Sequence, residues 1–513
     1  MRIDLTRLSF ALAAGVATVL GFAPFGLGFL PLVTLAMLIA LWQGAASARA
    51  AAAVGYAFGL GLFGAGASWV FIALHTFGGM PSVLAAIGTA GFCAFLALYP
   101  ALTGWVAVRF TARHSWHRSI AAAAAWTLAE WARSVVFTGF PWLSLGYSAL
   151  PGGTPSPLAG YGPVGGVFTI TLFTALAAAA LAIAVDALAN GMRGRLATAV
   201  GTMICLGAGG AALGRIEWTA PHGEPVAVSL VQGNVTQELK FNPDFRRTTF
   251  ELYTGLAAAS RGRLVVLPES AFPVFADEVP ESVLLQLLDA VVGRNGDVLA
   301  GLFTLSPPLK EGGEPRYYNS VVSVGVARPQ LYRKRHLVPF GETIPLEPVV
   351  GWFIRKVLSI PIANQASGDP APHALEVAGQ RVGVNICYED AFGAEIRVQA
   401  ADATLLVNVT NDAWYGHSLA ALQHNQIAAM RALETGRPLL RATNTGITSA
   451  IGHDGREIAR LPWFTRGILE VEVTGRQGVT PYVRFGDALA VALAFVVFVV
   501  AAVTARLERA SKT

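Results

Sequence analysis

Long apolar runs fill most of the first 215 positions, and one more lies near the C-terminus. The runs cover 8–23, 28–44, 51–74, 81–108, 118–137, 163–189, 195–214 and 485–505. About 20 apolar residues in helical form cross the hydrocarbon core of a bilayer, so this pattern predicts eight spans. The first run is short and meets the second at a turn, Ala23-Pro24-Phe25-Gly26. From 220 to 475 the pattern changes. Short apolar strands are expected at 226–231, 264–267, 298–303, 320–324, 382–386, 404–409, 439–443 and 468–473. Amphipathic helices are expected near 243–260, 281–294, 391–400 and 418–435. Near-continuous apolar strands interleaved with helices predict an α/β domain with covered sheets. Asp454-Gly455 marks a hairpin turn.

Composition agrees with the pattern: 54% of the 513 residues are hydrophobic and only 13% charged, which is membrane-like. The net charge of +5 is small for this length, and no nucleic-acid partner is expected. Where the charges fall is more informative. Arg2, Arg7, Arg49, Arg109, Arg113, Arg118, Arg193, Arg195, Arg506, Arg509 and Lys512 occupy every second connection, and the loops between hold no Lys or Arg. By the positive-inside rule both termini are cytoplasmic and 216–484 lies outside. A cleaved signal peptide ending near Ala45 to Ala50 is the competing reading; the apolar stretch before it is too long for one and contains its own turn. The expected domains are a membrane domain of seven helices (1–215), an outer catalytic domain (216–484), and an eighth helix with a cytoplasmic tail (485–513).

Topology changes the meaning of the cysteines. Cys93 and Cys205 fall in apolar runs and read as inert. Cys387 ends the apolar strand Val382-Gly383-Val384-Asn385-Ile386 and has no partner cysteine in its own domain. A structural cysteine on the outer face of a membrane would normally be bridged. A lone thiol there reads better as a nucleophile. Two other strands end in polar chemistry: Leu267 runs into Pro268-Glu269-Ser270, and Val409 into Thr410-Asn411-Asp412-Ala413-Trp414. The carboxyl edge of an α/β sheet is where ligands bind.

A thiol attacks as thiolate, so it needs a base or a positive field. Glu269 is the candidate base. Lys334 and the backbone N–H of Tyr388 are candidates to meet the developing oxyanion. The run Tyr332-Arg333-Lys334-Arg335-His336 could equally be a solvated edge strand. No nucleophile elbow surrounds a serine, and no Cys/His spacing suggests zinc; no cofactor or metal is expected. Glu130 and Arg133, three apart on one helix face, read either as a structural ion pair or as an intramembrane functional site. The apolar stretch 344–360, with Trp352 and Phe353 beside Arg355 and Lys356, reads as a docked amphipathic helix or as an arm entering the outer leaflet.

Glu269, Lys334 and Cys387, spaced by 65 and 53 residues, resemble the Glu–Lys–Cys triad of the nitrilase superfamily. Set before the last of eight spans, such a domain resembles the apolipoprotein N-acyltransferase family. Ser68-Trp69-Val70, Glu130-Trp131, Thr138-Gly139-Phe140-Pro141-Trp142, Val231-Gln232-Gly233-Asn234, the run from His336 to Glu342, and Asn411-Asp412-Ala413-Trp414 are similar to motifs of that family. The resemblance implies an eight-span helical bundle carrying an α-β-β-α sandwich. It implies transfer of an acyl chain from the sn-1 position of a membrane phospholipid, through a Cys387 thioester, to the α-amino group of a diacylglyceryl-cysteine on an apolipoprotein. It places the protein, as a monomer, in a bacterial inner membrane with its catalytic domain in the periplasm. It also carries Glu342, Tyr388 and Glu389 into the site, with Glu389 beside Lys334 keeping the lysine charged; Trp414 reads equally as packing or as a substrate contact. One departure is visible: where the family has a tryptophan after a lysine, Lys240 is followed by Phe241, which leaves Phe241 as a weaker substrate contact. The rival readings are a membrane-anchored amidase with the same triad, which would need at most one anchor, and a transporter with an outer sensor domain, which would leave the triad unexplained.

Overall fold

The structure, a computed structural model, describes residues 4–308, 315–344 and 364–510. Apart from Ile344, the expected apolar arm lies outside the described residues. The chain divides into two compact units. One holds the residues up to Glu217 with Tyr415–Gln426 and those from Thr480 on; the other holds Trp218–Trp414 and Ile427–Val479.

In the first unit every predicted span is helical: Leu5–Thr18, Leu30–Gln43, Ala48–Gly66, Ser82–Phe110, Trp116–Val135, Gly162–Ala189, Arg193–Leu213 and Ala488–Ala510. Among the described residues five segments are long and apolar enough to cross a membrane. Leu5–Gly21 and Leu30–Gln43 are apolar but shorter, and Trp116–Val135 contains Arg118, Glu130 and Arg133. Side-chain caps set some of the starts: Ser47 accepts from Ala50 N and Ser115 from His117 N. Small residues let the backbones meet. A Cβ on Gly61 would lie 2.1 Å from Leu12 O, and one on Gly55 2.3 Å from Pro100 O, the close approach expected of helices packed in lipid.

Glu130 and Arg133 both bond the loop that follows their helix, and Glu130 also bonds its own helix and Thr171. Glu130 accepts from Trp126 Nε1, Leu145 N and Thr171 Oγ1, each at 2.9 Å. Arg133 donates to Phe140 O, Trp142 O and Ser144 Oγ. Buried charges are tolerable when hydrogen-bonded in this way. Within the same unit, Gln423 Oε1 accepts from Trp142 Nε1 at 2.6 Å, and Gln426 donates to Tyr147 O at 3.0 Å. His75 bonds Met80 O at 2.8 Å, closing its own turn.

The second unit is built on strands β1 (Ala220–Pro221), β2 (Val226–Gln232), β3 (Leu264–Val266), β4 (Asp297–Ser306), β5 (Arg316–Gly325), β6 (Leu331–Arg333), β7 (Leu375–Val377), β8 (Gln380–Ile386), β9 (Leu405–Thr410), β10 (Leu439–Thr443), β11 (Ser449–Ile451), β12 (Glu457–Arg460), β13 (Gly467–Val473) and β14 (Arg476–Gln477). They form two six-stranded sheets, ordered β13-β2-β3-β4-β5-β6 and β12-β11-β10-β9-β8-β7, and a small β1-β14 ribbon. Each large sheet has a parallel trio at its centre, β2-β3-β4 and β8-β9-β10, with antiparallel strands outside. Helices Arg246–Ala259 and Glu281–Val292 cover one face of the first sheet: Phe250, Tyr253, Ala257, Leu287 and Val291 share a core with Val231, Val265, Val298 and Ala300. Strands β8, β9 and β10 are buried on both faces, as parallel strands are. The side chain of Gln399, on helix Gly393–Ala400, bonds both Val384 N and Val384 O. The turn at Asp454-Gly455 joins β11 to β12, as its sequence predicts.

Candidate active site

The carboxyl ends of β3, β8 and β9 deliver three of the site's groups, and the edge strand β6 delivers the fourth. Glu269 follows β3, Cys387 follows β8, Asn411 follows β9, and Lys334 follows β6. The basic run is therefore not solvated at its centre: Lys334 is 1% exposed. Antiparallel pairing of β6 with β5 places Arg333 opposite Ser320, and Lys334 N continues the ladder to Asn319 O at 2.8 Å.

Both oxygens of Glu269 are held. Asn319 Nδ2 donates to Oε1 at 2.7 Å, and the main-chain N–H of Asn411 donates to Oε2 at 2.9 Å. Lys334 Nζ lies 3.5 Å from Oε1. The lysine's shorter partner is Glu342, at 2.7 Å, whose other oxygen accepts from Val338 N at 2.8 Å. Burial opposes the charge on Lys334, but the carboxylates of Glu342 and Glu269 outweigh it and hold the ammonium above the ordinary lysine range.

Glu389 feels the Lys334 charge but spends its hydrogen bonds elsewhere. Its carboxylate accepts from Arg335 N (2.6 Å), His336 N (3.0 Å), Ile386 N (2.6 Å) and Tyr332 Oη (2.8 Å). It ties the backbone on either side of the site, and Glu342 is the contact partner of Lys334. Burial raises the Glu389 pKa, against the pull of those donors and of the Lys334 charge.

Cys387 is buried, and its φ of +54° lies in the left-handed region. For a residue with a Cβ this costs on the order of 1–3 kcal/mol and persists only where the surroundings enforce it. Here Asn408 Nδ2 bonds Cys387 O at 3.1 Å, and Glu389 fixes the preceding N–H. Burial, then the Glu269 charge, push the thiol well above its usual value, and Asp412 adds to this. Lys334 and a hydrogen bond from Thr410 act the other way. The Glu269 carboxylate and the Lys334 ammonium thus act on the thiol in opposite directions. Asp412 is itself tied into the core by Arg441, which bonds Asp412 (3.1 Å), Asp390 (2.8 Å) and Asn408 (2.8 Å).

Tyr388 is buried, its ring edge-on to His336 and Phe392. Trp414 is 40% exposed and Phe241 51% exposed, so neither belongs to the buried cluster. Three members of the site escape sequence reasoning. Asn319 is a buried amide inside an apolar strand, a mismatch that marks it in retrospect. Thr410 and Lys240 sit inside segments that the sequence does single out, but for their neighbours. Among the described residues no group of three His, Cys, Asp or Glu side chains is arranged to hold a metal.

Two parallel trios flanked by antiparallel strands, with a carboxylate, an ammonium and a thiol at their ends, define a nitrilase-like carbon-nitrogen hydrolase fold. Residues 226–482 match the family model for carbon-nitrogen hydrolase, and residues 14–180 match that for the apolipoprotein N-acyltransferase N-terminal domain. The apolipoprotein N-acyltransferase of Nitrosomonas europaea is 47% identical over 95% of each chain. That of Methylococcus capsulatus is 42% identical, over 94% of this chain and 93% of its own. That of Chromobacterium violaceum is 41% identical, over 95% and 91%. The chain belongs to the apolipoprotein N-acyltransferase family.

Proposed function

We propose that this chain transfers a fatty acyl group from the sn-1 position of a membrane phospholipid to the α-amino group of the N-terminal diacylglyceryl-cysteine of apolipoproteins, in two steps through a thioester on Cys387. The observation that carries the reading is the burial of Glu269, Lys334 and Cys387 together at the strand ends, in a chain that also bears long apolar helices. In the first step Glu269 takes the thiol proton as the sulfur attacks the ester carbonyl. The ester C–O bond breaks, and Glu269 gives the proton to the departing lysophospholipid. In the second step the amine attacks the thioester carbonyl, Glu269 accepts a proton from nitrogen, and that proton goes to the leaving thiolate. Lys334 stabilises the oxyanion of both tetrahedral intermediates, with the Tyr388 N–H as a second donor. Glu342 keeps Lys334 charged, Glu389 fixes the loops, and Trp414 and Phe241 line the approach.

The same reading takes the chain to cross a bacterial inner membrane eight times with both termini in the cytoplasm. It assigns 1–215 and 485–513 to the membrane and its inner face, and 216–484 to the periplasm as the catalytic domain. The protein acts as a monomer.

Intact mass spectrometry of the detergent-purified protein after incubation with one defined phospholipid tests this, with Cys387→Ala in parallel. A thioester-labile acyl adduct on the wild type alone, with lysophospholipid released, is the expected result. A folded protein that gives neither product overturns the reading and favours an amidase acting on small amides, the chemistry to which the carbon-nitrogen hydrolase match also points.

A further inference from the structure

Lys240 is a second buried lysine at the site, and the reaction as drawn gives it no task. It ends the one-turn helix Gln237–Lys240, is 3% exposed, and donates from Nζ to the main-chain carbonyl of Glu269 at 2.8 Å. Among the described residues that is its one hydrogen bond, and it has no carboxylate in contact. A buried ammonium without a contacting counter-ion is costly. Burial accordingly lowers its pKa to about 8, against the opposing pull of Glu269 and Cys387. Cys387 adds to that pull only once its thiol proton has left, which is when the second cation matters.

A charge count gives this cation a purpose. Glu389 spends its charge on four donors. Asp412, which also acts on the thiol, is ion-paired with Arg441; of the remaining groups, the carboxylates of Glu269 and Glu342 face the one ammonium of Lys334. Moving a proton from Cys387 to Glu269 relocates negative charge without changing its amount. With Lys334 alone, one negative charge would stay uncompensated from thiolate through tetrahedral intermediate, in a site screened little by water.

We propose that Lys240 is a positioning residue of acyl transfer: it fixes the main chain from which Glu269 projects, and it cancels the net negative charge of the Glu269–Glu342–Lys334–Cys387 group while the proton moves. The effect on turnover rests on the acyl-transfer reading; the effect on the thiol does not.

The test uses the full-length protein in detergent, with Lys240→Met and Lys240→Arg. Alkylation of Cys387 by iodoacetamide at pH 7, without lipid, is followed by peptide mass spectrometry. Losing a nearby cation should slow alkylation about tenfold in Lys240→Met, the equivalent of one pKa unit. Lys240→Arg should stay within about threefold of wild type, because it keeps the charge. The sign is diagnostic, since loosened packing would expose the thiol and speed its reaction. Thioester formation from phospholipid should fall and recover in the same pattern. Alkylation in Lys240→Met that is unchanged or faster, at an unchanged melting temperature, overturns the proposal. Where Lys240→Met does not fold, Lys240→Gln keeps an N–H donor without the charge; slowed alkylation there supports the proposal and a wild-type rate overturns it. If alkylation slows as expected but the wild type forms no thioester, the acyl-transfer reading falls and the role of Lys240 toward the thiol stands.

Discussion

Lys334 lies 2.7 Å from Glu342 and 3.5 Å from Glu269. The lysine's closer ion pair is therefore with a residue that also anchors the turn at Val338, and Glu269 is its more distant carboxylate.

Substitution at the two glutamates should separate these roles. Glu269→Gln removes the base and should cut thioester formation by roughly 10²–10⁴-fold. Glu342→Gln leaves the base but weakens the field on Lys334, and should cost roughly 10²-fold in the rate of both half-steps. Single-turnover mass spectrometry with phospholipid, then with an acceptor lipopeptide, measures both. A Glu342→Gln enzyme that turns over normally would show that Lys334 needs no partner beyond Glu269.

Asn319→Ala removes the 2.7 Å bond to Glu269 Oε1. The carboxylate keeps the Asn411 N–H but gains freedom to turn. Thioester formation should fall roughly 10–100-fold with phospholipid KM little changed, because Asn319 holds the base and does not meet the lipid. A rise in KM with kcat intact would contradict this.

The thiol of Cys387 has its pKa raised by burial and by Glu269. The protonated form therefore dominates throughout the physiological range, and the thiolate fraction grows about tenfold with each pH unit. Iodoacetamide should label Cys387 with a rate that climbs steadily between about pH 5.5 and about pH 7.5, below the range in which Lys240 loses its own proton. A plateau near neutrality would mean a thiolate already formed at rest.

Arg441 is fully buried between Asp390 and Asp412. Arg441→Met takes the cation from two buried carboxylates and should destabilise the catalytic unit by about 3–5 kcal/mol. Thermal unfolding and protein yield report this. A variant of wild-type stability would place the charge balance of that core elsewhere.

Eight strands of the second unit were legible as apolar runs ending in polar residues: β10 has its predicted bounds, β2, β3, β8, β9 and β13 differ by one or two residues, and β4 and β5 run longer, while the short strands β1, β6, β7 and β14 were not expected. The residues at their ends, Glu269 and Cys387, could be read with them. Less was visible where the structure depends on a distant partner. Nothing local to Lys334 says that it is buried; pairing of β6 with β5 does that. Nothing local to Glu389 says that its oxygens serve backbone groups 50 residues away in sequence. Asn319 looks like any polar interruption of a strand until Glu269 lies beside it. In the helical unit, Glu130 and Arg133 are adjacent on one face, yet their partners come from the loop after the helix and, for Glu130, from Thr171.

The four donors on Glu389 have a mechanical consequence. One carboxylate grips the chain just after Lys334 and the N–H just before Cys387, so Lys334 and Cys387 are clamped to a common point. They cannot drift apart without breaking bonds of 2.6 Å to 3.0 Å on one side or the other. A bulky lipid and a peptide-bearing amine must then be accommodated in turn without re-spacing the reacting groups. The exposed rings of Phe241 and Trp414 lie outside this clamp.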